Sequence, residues 1–300
     1  MTVFPAVSVS PEAATSRDDT GTVRCGVLAD PGLDLPACPA PVLALQADLD
    51  ETGGLPALVE GGYRWLIAQP ALAVALLQSA GALGLGPGGR RATWEQALHR
   101  FGAERAVALL TALTLVAVLP VEADGPDRYR TFALQRARLM AWLARRHGDV
   151  EPDVALVCGL YGEAGVALML QRFHAPSYRA TLAEVNLGHR PCLDIEQLRH
   201  GIDHAVLGAR VAQHWGAPVD VVEAVQHHHD YVWLGRQPTR RQGLLVALGL
   251  LAERMIRQPP GRQRHAEWVR GGALALQALD VAPEEAQAWN DEIDARRHLD

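Results

Sequence analysis

The sequence predicts an all-α protein built as two helical lobes. Three observations carry that expectation. Apolar residues recur at helical spacing along most of the chain, and no stretch alternates apolar and polar residues long enough for a strand. The apolar 49% of the composition is mainly Leu, Ala and Val, with only 5% aromatic residues. Leu and Ala are strong helix formers, so a core made of them favours helix-on-helix packing.

The elements follow in order. Residues 1–35 are rich in Ser, Thr, Pro, Asp and Gly without a period, and read as a flexible tail. Residues 36–125 read as the N-terminal helical lobe. Val42, Leu43, Leu45 and Leu49 mark one amphipathic segment, and Tyr63, Leu66 and Ile67 a second. Pro70 suits the first turn of a helix over Ala71–Ala82, where its missing N–H costs nothing. Gly84–Gly89 is a loop. Thr93 with Gln96 three positions on forms a capping box. Ala103–Leu119 is a helix stopped by Pro120, and the Gly/Pro run Val121–Asp127 is the best internal boundary.

Residues 126–235 read as a second helical lobe. Phe132–His147 is a helix with Gly148 as its C-cap. Pro152–Leu170 reads as one long helix. Gly159, Gly162 and Gly165 lie three apart on it, a spacing that lets another element approach closely. Ser177–Leu187 is a helix. Asp203 caps another that runs to Trp215, and Pro218 starts Val219–His229. Residues 236–300 add two or three more helices, over Arg240–Gln258 and Trp268–Arg297.

Charge and composition exclude several classes of function. The net charge is −6, whereas nucleic-acid binders carry a positive excess to meet phosphate. Thr93–Leu110 could pass for a helix-turn-helix, but its second helix is mostly apolar and reads as core. All 28 basic residues are Arg, so a P-loop lysine, a Schiff base and a lysine general base are excluded. Cys25, Cys38, Cys158 and Cys192 show no metal-ligand or redox spacing and are expected as reduced thiols. No secretory signal is visible. The apolar runs Val107–Leu119 and Leu244–Leu251 are too short to span a bilayer, so a cytoplasmic protein without membrane contact is expected.

Three segments carry a family resemblance. Gln69–Ala80 looks like the helix "DPALxxxLLxxxNS", with Gln69 and Gln78 in place of Asp and Asn. Trp94–Gly102 is similar to "xxQAIxxLG". Then come Gly159–Gly165, Asp203–Gly208, Trp215–Pro218 and His227–Asp230, in the order of the stations "GLLHDIG", "DHxxxG", "WxxP" and "HHD". Over about residues 36–235 the chain resembles the HDOD family, signalling relatives of the HD phosphohydrolases. The resemblance implies that the second lobe is HD-like.

It also implies a loss. HD phosphohydrolases hold divalent metal with a His, an adjacent His-Asp pair and a later Asp, because imidazoles and carboxylates on facing helices converge on a cation that activates water. Here the first position falls on Phe132 and the pair on Gly162 and Glu163, with His204, His228, His229 and Asp230 remaining. Phe132 and Gly162 have no donor atom. The expectation is therefore a vestigial pocket of these seven residues, with no catalytic residue, no metal and no cofactor.

Each residue also has a bland reading. His227, His228 and His229 could simply end a helix, where a protonated imidazole suits the dipole. Adjacent helical residues diverge, so three in a row cannot all face one ion. His204 could be a satisfied interior histidine. His200 and His204 are four apart, but Gly201 and the cap at Asp203 break a zinc-binding turn between them. Glu163 on an apolar helix needs a partner, for which Arg136 or His204 are candidates.

The leading expectation is a non-catalytic regulator acting through a protein partner of a signalling pathway, or through a cyclic dinucleotide or other nucleotide. The Arg136, Arg138, Arg145 and Arg146 surface is a candidate contact for an acidic partner or a nucleotide, or simply a solvated face. The alternative is a degenerate metal-dependent phosphohydrolase acting through Glu163, His204, His228 and His229. A third reading is ligand sensing in the pocket without turnover.

Overall fold

The computed structural model describes residues 35–50, 59–60, 62, 102–119, 128–173, 175–236, 241–257 and 266–297. Among these every regular element is a helix. The expected helix after Pro70, the Gly84–Gly89 loop, the Thr93 capping box, the Val121–Asp127 linker and the N-terminal tail lie outside the described residues.

Helix α1 spans Ala40–Asp50 and α2 spans Ala103–Val118. Helix α3, Arg128–His147, starts a turn earlier than Phe132 and ends as expected at Gly148, whose φ of 96° only glycine adopts cheaply. Arg145, Arg146 and His147 in its last turn complement the helix dipole. The most extensive helix contact is between α3 and α4, Pro152–Tyr161. Gly159 allows it: a Cβ there would meet Ala137 Cα at 2.4 Å.

The long helix expected over Pro152–Leu170 is two. It breaks in a turn at Gly162–Glu163, and α5 continues as Ala164–Arg172. By length and apolarity the joined stretch Pro152–Arg172 could cross a membrane, contrary to the reading that no run is long enough, yet its apolar window is 89% buried in the protein. It is the central hairpin of the core. Gly165 on α5 lies directly on the start of α8, His204–His214, where an added Cβ would stand 1.8 Å from the His204 carbonyl oxygen.

Helix α6 spans Ala175–Leu187. Between α6 and α8 lies a helix that sequence reading passed over, α7, Cys192–His200. Gly201 ends it with φ 70°, and Asp203 caps α8 by accepting from the Val206 N–H at 2.8 Å, both as expected. Helix α9, Val219–His227, is two residues shorter than expected, which leaves His228 and His229 in the following turn. Helices α10 (Tyr231–Arg236), α11 (Arg241–Arg257), α12 (Ala266–Ala278) and α13 (Pro283–Arg297) complete the described chain.

One core cluster runs from Cys38 to Trp289. Helix α11 crosses its centre with Leu245, Leu248 and Leu251 fully buried, each worth roughly 1.5–3 kcal/mol. It packs on α3, α9 and α12, so the C-terminal helices are part of the body around the HD-like lobe. The N-terminal segment is fastened to the same body. Trp215 Nε1–H donates to the Pro36 carbonyl at 2.9 Å, and the Gln46 amide donates to the Trp215 carbonyl at 2.9 Å.

Candidate functional site

The start of α8, the end of α9 and the first turn of α12 meet at a cavity of about 650 Å³. Its polar lining is Glu163, Asn186, Cys192, Glu196, His204, His229, Glu253, Arg257 and Glu267. Two imidazoles, His204 and His229, line it, and a third, His228, stands behind them. The ring centroids of His204, His228 and His229 stand 5.1, 5.0 and 4.1 Å apart pairwise. The turn at 228–229 makes this possible, because residues outside the helix escape its angular spacing. His227 diverges as expected and stacks on Trp233 at 4.5 Å.

Glu196 anchors the wall. It is fully buried and accepts from Tyr178 Oη (2.5 Å), the His204 backbone N–H (2.9 Å) and His204 Nδ1 (2.7 Å), with the Cys192 thiol at 3.7 Å. Burial alone pushes its carboxyl up. The His204 imidazolium and these donors override burial and hold it at about 2. Burial likewise opposes the charge on His204, but Glu196 raises that histidine well above its ordinary value. His228 moves the other way. Burial, then the nearby His229, His204 and Arg136, keep it neutral, and its Nδ1 donates to the Val225 carbonyl at 2.6 Å.

Proton bookkeeping follows from these partners. With both Nδ1–H groups committed, His204 Nε2 and His228 Nε2 face each other at 3.1 Å. Two lone pairs would collide there, so the pair holds one additional proton, carried by His204. On the other side Glu267 accepts from His229 Nδ1 (3.1 Å), Tyr231 Oη (2.6 Å) and Arg270 Nη1 (3.0 Å). Burial would raise its carboxyl; the His229, Tyr231 and Arg270 contacts hold it at about 2. Burial, aided by Glu196 and Glu267, pushes the Cys192 thiol up to about 11 against the pull of His204.

The seven residues expected at the pocket divide. Glu163, His204 and His229 line the cavity, and His228 stands directly behind His204. Asp230 instead caps α10 through the Trp233 N–H and lies 3.6 Å from His227. The Phe132 ring is outside the lining, under the Arg257 guanidinium at 4.7 Å. At Gly162 the space of a side chain is taken by Arg136, whose Nη1 would stand 1.3 Å from an added Cβ. Arg136 is 2% exposed, so it belongs to the core and not to the surface expected of it. Its Nε and Nη1 and the Oε1 of buried Glu163 have no hydrogen-bond partner. The expected pairing of Glu163 with Arg136 or His204 is therefore not made, and the partner of His204 is Glu196. His200 points away, bonded to Thr181 Oγ1 at 2.8 Å.

Sequence reading missed Cys192, Glu196, Glu253, Arg257 and Glu267. Glu253 and Arg257 sit on a helix read from pattern alone, and Glu267 lies one residue before the expected start of the next. A signal existed for Glu196, which follows Cys192 by four and adjoins Ile195, on the side of α7 that becomes buried.

The match to known families agrees with this geometry. The HDOD domain profile matches residues 63–231, more than half of the chain. The chain belongs to the HDOD domain family. The HDOD fold is shared with three solved structures. A candidate phosphohydrolase from Shewanella amazonensis is 20% identical, with TM-score 0.57 over 82% of this chain and 86% of that one. An HDOD domain protein of unknown function from Geobacter sulfurreducens is 17% identical, with TM-score 0.54 over 88% and 90%. A candidate signal transduction protein from Marinobacter aquaeolei is 21% identical, with TM-score 0.57 over 88% of this chain and 58% of that one. No curated protein matches the chain. At these identities the likeness is one of fold.

The Arg136–Gly162 contact makes a test of this HDOD lobe. Gly162→Ala and Arg136→Ala are expected to couple. Each alone destabilises, and the double variant loses less than the two together by at least about 1 kcal/mol, because the added methyl occupies the space the guanidinium vacates. A urea double-mutant cycle measures this, and strict additivity would contradict the packing described.

Proposed function

We propose that this HDOD protein is a non-catalytic regulator of a signal-transduction pathway that works in the cytoplasm through a protein partner. The observation that carries the reading is at residue 162. The position where an HD enzyme presents a metal-binding imidazole is filled by a guanidinium, a fixed cation that has no lone pair for a metal and so cannot supply metal-activated water. The Phe132 ring, lying under Arg257, likewise offers no donor. The name of the Marinobacter relative, a candidate signal transduction protein, supports the signalling half of the proposal.

A nucleotide ligand is the weaker version of this reading. Glu163, Glu196, Glu253 and Glu267 face the cavity against the single guanidinium of Arg257, which repels a phosphate. The test is a phosphodiesterase assay of the full chain with Mn²⁺, using bis(p-nitrophenyl) phosphate and cyclic di-GMP. The expected rate equals that of the metal alone. Turnover that His228→Ala abolishes would overturn the reading in favour of a degenerate phosphohydrolase.

A further inference from the structure

We infer that the cavity binds one small aliphatic ammonium ion, with its N–H donors on Glu163 and its alkyl stem along α5 and α6. The occupant is an organic cation, and it takes nothing from the imidazole nitrogens.

Charge selects the head of the ligand. Among the described residues, three of the four carboxylates around the cavity already have a cation. Glu196 holds His204 at 2.7 Å, Glu253 holds Arg257 Nε at 2.8 Å, and Glu267 holds Arg270 Nη1 at 3.0 Å. Glu163 is the exception. It lines the cavity, is only 7% exposed, and its Oε1 accepts no hydrogen bond. Arg136 stands on the core side of the same turn, against Gly162, and gives that oxygen no hydrogen bond either. A buried carboxylate oxygen without a donor is costly. A ligand that brings N–H groups together with a positive charge makes a charge-assisted hydrogen bond there.

Apolar residues select the tail. Val166 on α5 and Leu182, Val185 and Leu187 on α6 form the apolar part of the lining. Such a wall suits methylene groups, as protein surfaces do the stems of long basic side chains. Leu187 lines the cavity and is also 66% exposed, so the mouth lies at the end of α6. The volume of about 650 Å³ falls within the range of small-molecule pockets.

One carboxylate without a cation sets the ligand's charge at one. A diammonium would have to carry its second charge onto the apolar wall, where desolvation is not repaid. A bare alkali ion has no stem to bury.

The site does not rest on the protein-partner reading, and a separate measurement tests it. Ligand-observed NMR titrations of the full chain at neutral pH would use n-butylammonium, with ethylammonium, n-butanol and butanediamine as comparisons. Saturable binding of one n-butylammonium per chain is expected, about 5-fold or more tighter than ethylammonium, because two more methylenes leave water. n-Butanol keeps the stem and lacks the charge, so it is expected to bind at least about 10-fold more weakly. Butanediamine is expected to bind more weakly as well. Glu163→Gln keeps the side-chain volume and removes the charge, and should weaken n-butylammonium at least about 10-fold. Glu284→Gln, on the exposed first turn of α13, should leave it unchanged. Circular dichroism checks the folding of each variant. If Glu163→Gln does not fold, Leu187→Arg serves: the position is exposed, and a guanidinium at the mouth repels the ligand, with the same loss expected. No saturable binding, equal affinity for any of the three comparison compounds, or unchanged affinity in the folded variant would overturn the site. Phosphodiester turnover in the assay above would overturn the non-catalytic reading and leave the site standing.

Discussion

Gly165→Ala is expected to destabilise the protein by about 3 kcal/mol or more, because its new methyl would lie 1.8 Å from the His204 carbonyl oxygen and 2.8 Å from the Gly208 nitrogen. Both obstacles are backbone, so no side chain can rotate out of the way. Helices α5 and α8 must separate, and His204 stands in the first turn of α8. Gly188→Ala is a less severe control, since its Cβ would meet only the Ala266 methyl at 3.1 Å, although its φ of 73° adds local strain. A Gly165→Ala protein as stable as the parent would show that the α5–α8 approach is looser than described.

Glu196→Gln should be of comparable size. The amide keeps the volume but removes the charge that His204 is paired with, and breaking a buried ion pair from one side costs about 3–5 kcal/mol. The same pair sets the pH dependence. Glu196 and Glu267 are each held at about 2, below the ordinary 4.5. A carboxyl depressed in the folded state contributes stability that is complete above 4.5 and lost as pH falls towards 2. Each such displacement corresponds to roughly 3 kcal/mol. His204 is raised, so its share is complete below 6.5 and fades as pH rises through its elevated value. It is the same interaction as that of Glu196 and is not counted twice. Denaturation profiles between pH 7 and pH 2 should show the parent losing stability steeply below pH 4.5 and Glu196→Gln losing less. Parallel profiles would contradict the ion pair.

How much of this was legible in the sequence depends on distance along the chain. Short-range signals served well. Asp203 followed by an apolar helix is a cap wherever it occurs, and Gly148 and Gly201 are helix stops because few other residues adopt positive φ. The glycines at 159, 162 and 165 announced close approach, since their low helix propensity needs a packing reason. What they met was not legible, because Arg136 lies 26 positions upstream. The same limit hid Glu196 and Glu267. A carboxylate four positions from a cysteine looks like a solvated helix face until Tyr178 and His204 surround it. The break at Gly162–Glu163 was lost within an apolar run whose period continues through it. His228 and His229 entered the expected pocket through the family's stations and not through the helix pattern, which ran two residues too far and would have pointed the rings apart.

The bonds around Trp215 have a consequence for how the molecule can respond as a whole. Helix α8 has His204 at one end and leads into Trp215 at the other, a stiff rod of 11 residues whose ends serve different regions. One end sits among the imidazoles; the other grips Pro36 and Gln46 near the start of the described chain. A push on the amino-terminal strap is thus delivered along a single lever to the chamber wall. Conversely, whatever tightens that wall also tightens the strap.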